Sequence, residues 1–244
     1  ASTIHRFLAK QDARSALWRN ASLMCGGLRA NRGHEALNSL RARGKLCLLV
    51  TQNIDGLHQL AGHPADELEE VHGSFATTIC LHCLASYDTR ILLAEYVPTS
   101  VDEEGLPVYD PRCPSCSGML KPNVVLFGEA PPREALQRSL AAAGGCDLLL
   151  CVGTSLAVSP VNRMVEVAKA AGAKIVIVNL GPTEMDSLAD VKVEAHISDV
   201  LPSILGSNEA DAAVDAPGRG RLSGPAGGAA PPEAPLAAPA HGGF

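Results

Sequence analysis

Cys80 and Cys83 form one Cys-x-x-Cys pair, Cys113 and Cys116 form a second, and 29 residues separate them. No other feature of the sequence restricts the fold so tightly. Each pair forms a tight knuckle that aims two thiolates at one point, and two knuckles complete a tetrahedron around one ion. A redox dithiol would account for one pair, not for two at this spacing. Four thiolates leave no open position for water or substrate, so one structural Zn2+ on Cys80, Cys83, Cys113 and Cys116 is expected. The eight cysteines are spread over a long chain, which fits metal ligation in a reducing compartment better than a disulfide scaffold. Cys47 and Cys151 lie in strand-like runs and are expected to be small buried hydrophobes.

Residues 46–51, 147–152 and 174–178 are short apolar runs rich in branched side chains, the pattern of buried parallel strands. Helical patterns at 34–43, 131–143 and 160–171 alternate with them, and Gly144-Gly145 and Gly172 suit the ends of the last two. This alternation predicts an α/β fold with a Rossmann-like doubly wound parallel sheet. The stretch 74–122 breaks the rhythm with both cysteine pairs and an acidic insertion, Asp102-Glu103-Glu104-Gly105, and reads as a small zinc-ribbon module. The main domain is therefore expected in two parts, 1–73 and 123–205. Residues 206–244 are dominated by Ala, Gly and Pro without hydrophobic periodicity and are expected to be a disordered tail.

With 46% apolar residues the chain can bury one sizeable core and a satellite module. A net charge of -6 gives no basic face for phosphates, so no direct nucleic-acid partner is expected. No apolar run nears the roughly 20 residues that span a bilayer, and no signal-peptide pattern is present, so no membrane partner is expected either. The sequence reads as an intracellular monomer, in the cytoplasm or the mitochondrial matrix.

Ligands of an open α/β sheet bind at the carboxyl ends of its strands. Polar residues gather at three such ends: Gln52, Asn53 and Asp55, flanking Ile54, after the first run; Gly153, Thr154 and Ser155 after the second; and Asn179 and Gly181, flanking Leu180, after the third. Turn chemistry would explain each alone, but their repetition points to a nucleotide. His72, followed by Gly73, comes after a strand-like segment at 68–71 and just before the cysteine module, where an imidazole can serve as a general base near neutral pH.

Several motifs in register give a resemblance. Thr51 to Asp55 matches T-Q-N-[IV]-D, His72-Gly73 matches H-G, Gly153 to Ser155 matches G-T-S, and Lys121 to Glu129 resembles K-P-x-V-V-x-F-G-E, while Asn31-x-x-His34 resembles N-x-x-H. Together with the four cysteines, these residues resemble the sirtuin family over residues 15–205. The resemblance implies an NAD-dependent protein-lysine deacylase of the transferase class, with NAD consumed and acylated-lysine proteins as substrates. In that chemistry the acyl oxygen attacks the nicotinamide ribose, nicotinamide leaves, an alkylimidate forms, and O-acyl-ADP-ribose is released. His72 would deprotonate a ribose hydroxyl. Asn53 and Asp55, with Ile54 between them, would line the nicotinamide pocket and Gln52 the ribose. Gly153, Thr154 and Ser155 would face the phosphates and ribose, and Asn179, Leu180 and Gly181 the adenosine half. Val124, Val125, Phe127, Gly128 and Glu129 would pair with the substrate peptide as an added strand.

Sirtuins also open with a strand followed by G-A-G-[IV]-S and a P-x-F-R loop, and neither occurs in this sequence. Those glycines bring backbone N–H groups to the pyrophosphate at a helix N-terminus. The expectation is a sheet without its first strand, weak NAD binding and marginal folding for the chain by itself. Mono-ADP-ribosylation of a protein and an inactive acyl-peptide-binding fragment are the alternative readings. A dehydrogenase is disfavoured, because no G-x-G-x-x-G turn is present. The Y-x-x-R pair of the desuccinylase-like branch is absent, although Arg19 is a candidate for meeting an acidic acyl tail. Asn179 to Thr183 with Asp186 to Asp190 resembles the mitochondrial and bacterial branch and leaves the acyl group open.

Overall fold

A computed structural model of the chain describes residues 3–205; the tail expected at 206–244 lies outside the described residues. Along the chain run α1 (Ile4–Ala9), α2 (Gln11–Cys25), α3 (Arg32–Ala42), β1 (Leu49–Thr51), α4 (Leu57–Leu60), β2 (Leu68–Glu70), β3 (Gly73–Cys80) and β4 (Ser86–Asp88). They are followed by α5 (Thr89–Glu95), β5 (Leu120–Val124), α6 (Arg133–Gly145), β6 (Leu148–Val152), α7 (Arg163–Ala170), β7 (Lys174–Val178), β8 (Val191–Val193) and α8 (Ile197–Leu205). None of the described helices is long and apolar enough to cross a membrane.

The branched apolar runs form the parallel strands. β1 pairs with β2, β6 with β7, and β7 with β8, all in parallel. The sheet is in two parts, ordered β2-β1 and β6-β7-β8, and among the described residues no strand pairs with the remaining sides of β1 and β6. Successive strand side chains point to opposite faces, and the packing follows that rule. Leu149 and Cys151 join the core beneath α6 and α7, whereas Leu150 and Val152 join Ala36, Leu37 and Leu201 of α3 and α8. Val50 and Leu49 of β1 divide between the same two clusters, so both parts of the sheet lie within one helix-sheet-helix sandwich. β7 is covered on both faces, which leaves Ile175, Ile177 and Val178 fully buried. Cys151 is buried as expected, but Cys47 is exposed, because the strand begins only at Leu49.

The cysteine module is an antiparallel sheet, β4-β3-β5, with α5 beside it. Residues 4–25 side with this module although they precede β1 in sequence. Phe7, Leu17, Trp18 and Ala21 pack with Phe75, Leu120, Val124 and Leu126 in one buried cluster. Arg14 fixes the contact through two hydrogen bonds to Asp110, at 2.9 and 3.0 Å, and a third to the Phe7 carbonyl at 3.2 Å. Arg19 donates to Asp102 at 2.9 Å and to the Pro107 carbonyl at 3.3 Å. Its guanidinium is thus engaged by the acidic insertion.

Candidate active site

The four cysteine sulfurs lie within 4.8 Å of one another. Cys80 and Cys116 are 3.6 Å apart, and Cys83 and Cys113 3.7 Å. A tetrahedron with metal–sulfur arms of about 2.3 Å has edges of about 3.8 Å, so the cluster fits Zn2+ in both chemistry and size. Backbone N–H groups of His82 and Cys83 both point at Cys80 Sγ from 3.4 Å, the knuckle expected of a Cys-x-x-Cys turn. The Tyr87 hydroxyl lies 3.0 Å from Cys113 Sγ and lowers the pKa of that thiol. Tyr87 carried no signal in the sequence, because nothing in its neighbourhood announces a partner 26 residues away.

The three strand ends lie close together. Gln52 Nε2, just beyond β1, lies 3.4 Å from Thr154 Oγ1, just beyond β6. Gly153 turns the chain at φ +59°, and its N–H donates to the Val178 carbonyl at 2.9 Å, which joins the second end to the third. A Cβ at Gly153 would lie 2.3 Å from Ile197 Cδ1, so the end of that α8 side chain would have to move aside for it. At the third end, Asn179 Nδ2 donates to the Gly181 carbonyl at 3.2 Å, and Gly181 N donates to Glu194 Oε1 at 3.1 Å. Glu194 was not singled out by the sequence. Leu180 is exposed beside them. Asn53 is exposed, and its backbone N–H donates to Thr51 Oγ1 at 3.1 Å while its side-chain amide makes no hydrogen bond among the described residues; Asp55 accepts from Leu57 N at 3.0 Å. Ile54 instead packs against the module core. Gln52, Thr154 and Asn179 thus offer neutral donors and acceptors at the three strand ends, with the carboxylates of Asp55 and Glu194 beside them, the kind of polar set found where small molecules bind an open α/β sheet.

His72 Nδ1 lies 3.1 Å from the Gln52 carbonyl oxygen. A carbonyl only accepts, so Nδ1 carries the proton and the neutral ring keeps its lone pair on Nε2. Gly73 follows at φ +72°, and a Cβ there would lie 1.9 Å from the Asn123 carbonyl oxygen. Glycine is what lets the histidine strand cross the 123–125 backbone at contact distance.

The Asn-x-x-His motif proves to be a helix cap. Asn31 Oδ1 accepts from the N–H of Gly33 and of His34, and His34 Nδ1 lies 3.3 Å from the Asn31 N–H, closing a capping box at α3. The His34 ring also meets His58, with centroids 4.7 Å apart. Burial, and then the neighbouring His34, push the His58 pKa down to about 4.

The segment 124–129 alternates in burial. Val124 and Leu126 point into the core, at 3% and 6% exposure, while Val125 is half-buried and Phe127 and Gly128 are exposed. Of the five residues expected to meet a peptide, Val124 thus presents only its backbone. The Glu129 carboxylate turns back to Lys121 and to the Leu126 N–H. Ile4 N donates to the Phe127 carbonyl at 3.0 Å, so the lead into α1 lies along one edge of the segment.

Comparison with known proteins gives a consistent result. The family model described as "Sir2 family" matches residues 3–160. The chain is 35% identical over 204 residues to NAD-dependent protein deacetylase 1 of Bradyrhizobium diazoefficiens, covering 82% of this chain and 77% of the relative. It is 39% identical over 178 residues to NAD-dependent protein deacetylase 1 of Pyrobaculum aerophilum and spans 65% of that relative's length. A solved structure titled "Sir2-p53 peptide-NAD+" matches with a TM-score of 0.74 and 27% identity, over 84% of this chain and 81% of that one.

Proposed function

The chain belongs to the Sir2 family, and on that premise we propose that it is an NAD-dependent protein-lysine deacylase that releases nicotinamide and O-acyl-ADP-ribose. Similarity to proteins named NAD-dependent protein deacetylase supports the reaction, and similarity to a structure titled with a peptide and NAD+ supports the substrate classes. The observation that carries the reading is the placement of His72. Its ring is anchored on the Gln52 carbonyl, and its own carbonyl is bonded to Val125, so one residue joins the polar strand ends to the peptide-facing segment.

Each group then has a role that its surroundings support. NAD supplies the ADP-ribosyl group that receives the acyl group as nicotinamide leaves. Gln52, Asn53 and Asp55 would hold the nicotinamide and its ribose, Gly153 to Ser155 the phosphates and ribose, and Asn179 to Gly181 the adenosine half. His72 Nε2 would take a proton from a ribose hydroxyl, while the Gln52 carbonyl holds the tautomer that leaves Nε2 free. The backbone of Val124 to Glu129 would bind the acyl-lysine peptide as an added strand. Zn2+ on the four cysteines would hold the module in shape and take no part in the chemistry, since four thiolates fill its coordination sphere.

The test is to incubate the zinc-loaded chain with NAD and a panel of acyl-lysine peptides and to follow nicotinamide and O-acyl-ADP-ribose by mass spectrometry. Both products are expected at NAD concentrations high enough to offset weak binding, with a drop of about 10²- to 10⁴-fold in His72→Ala, the usual weight of a positioned general base. Nicotinamide release accompanied by an ADP-ribosylated protein and no O-acyl-ADP-ribose would establish the transferase reading instead.

A further inference from the structure

Lys121 lies on β5 with 5% of its surface exposed, and a buried ammonium group is destabilising unless it is paired and hydrogen-bonded. Its Nζ donates to the Val124 carbonyl at 2.7 Å and to Glu129 Oε2 at 3.0 Å. The same carboxylate oxygen accepts from Leu126 N at 2.9 Å, and Glu129 N donates back to the Leu126 carbonyl at 2.9 Å. One charge pair beneath the segment therefore closes 124–129 at both ends. On the outer side remain Val125, Phe127 and Gly128, and Val125 N is bonded to the His72 carbonyl at 2.8 Å.

We propose that Lys121 is a positioning residue for the peptide groove: through Glu129 it holds residues 124–129 in the extended form that receives the acyl-lysine chain. This rests on the deacylase reading and gives Glu129 an internal role in place of direct contact with substrate. A charge pair suits the task because both partners are tied to backbone groups of the same segment. Losing either partner frees the segment to adopt other conformations, and a peptide must then pay for ordering it.

The experiment compares Lys121→Met, Glu129→Gln and the double variant of the zinc-loaded chain for binding of a fluorescent acetyl-lysine peptide, with hydrogen exchange on the same samples. Each single change should weaken peptide binding on the order of tenfold. The double variant should match the worse single one, since both remove the same pair. Amide protection should fall at residues 124–129 and hold in β6 and β7, with zinc content unchanged. Glu129→Gln keeps the side-chain shape and an acceptor for Leu126 N, so it serves if Lys121→Met does not fold. Unchanged peptide binding in Glu129→Gln, or a loss of protection spread over the whole chain, overturns the proposal. If the wild-type chain binds no acyl-lysine peptide, the deacylase reading falls and this inference falls with it; normal wild-type binding with unaffected variants removes the inference alone.

Discussion

The carbonyl oxygen of His72 accepts the N–H of Val125 at 2.8 Å, which ties the backbone of the candidate base to the segment that would receive the peptide. The next residue, Gly73, runs so close to the Asn123 carbonyl that only a residue without a side chain fits there.

Gly73→Ala should therefore destabilise the protein and disable it together. The new methyl would sit 1.9 Å from the Asn123 carbonyl oxygen, on a backbone at φ +72°. Left-handed backbone and overpacking together cost about 2 to 4 kcal/mol. A thermal melt should show a midpoint several degrees lower, and nicotinamide release should fall further than the melt alone explains. A variant with wild-type melting would show that β5 moves aside freely.

The hydroxyl of Tyr87 on the Cys113 sulfur is an outer partner of the expected zinc site. Such partners are worth about 10- to 100-fold in metal affinity. Tyr87→Phe should release zinc to a competing chelator at correspondingly lower chelator concentration, and full removal of zinc should unfold the β4-β3-β5 sheet first. Identical zinc retention in the two proteins would mean that the hydroxyl serves Ser115 alone, which also lies 3.0 Å from it.

Arg14 and Asp110 each expose 10% of the side chain, so the pair is shielded from water. Breaking a buried pair costs about 3 to 5 kcal/mol, because the remaining charge stays buried. Asp110 keeps a second contact with Arg112 at 3.1 Å, which places Arg14→Met at the low end of that range. Chemical denaturation should register the loss, and α2 should lose amide protection before β7. A loss below 1 kcal/mol would indicate that the hydrophobic contact of Trp18 and Phe7 holds the module by itself.

His58 gives the protein a pH dependence of known sign. A histidine in the unfolded chain titrates near 6.5, whereas in the fold His58 is held down to about 4 by burial and by His34, against the opposing pull of Asp55. Above pH 6.5 both states are neutral and the full stability is present. Between 6.5 and 4 the unfolded chain takes up a proton that the fold excludes, so stability falls as pH drops, by at most about 3 kcal/mol and less once solvent screening of the incompletely buried ring is allowed for. His58→Gln should flatten the stability profile across that window relative to wild type, as measured by denaturation at fixed pH values. Parallel profiles would mean that His58 takes up its proton without opening its contact with His34.

Features whose information is local were legible from the residues alone. Two Cys-x-x-Cys turns need only their own residues to form knuckles, and runs such as 174–178 declare a buried strand through branched side chains within five positions. The strand ends carrying Gln52, Thr154 and Asn179 followed from those strands. Other features depend on partners far apart in the chain. Arg14 meets Asp110 across 96 residues, Arg19 is engaged by the acidic insertion, and α1 and α2 side with the cysteine module. A sheet lacking its first strand was expected from the sequence, but that the gap falls between β1 and β6 came from the strand pairing. Periodicity says which face of an element is apolar, not which distant surface will cover it. The inward turn of Val124 and the Lys121–Glu129 pair follow the same rule: the motif named the segment, and only packing against β3 settled which of its groups face outward and which hold it in place.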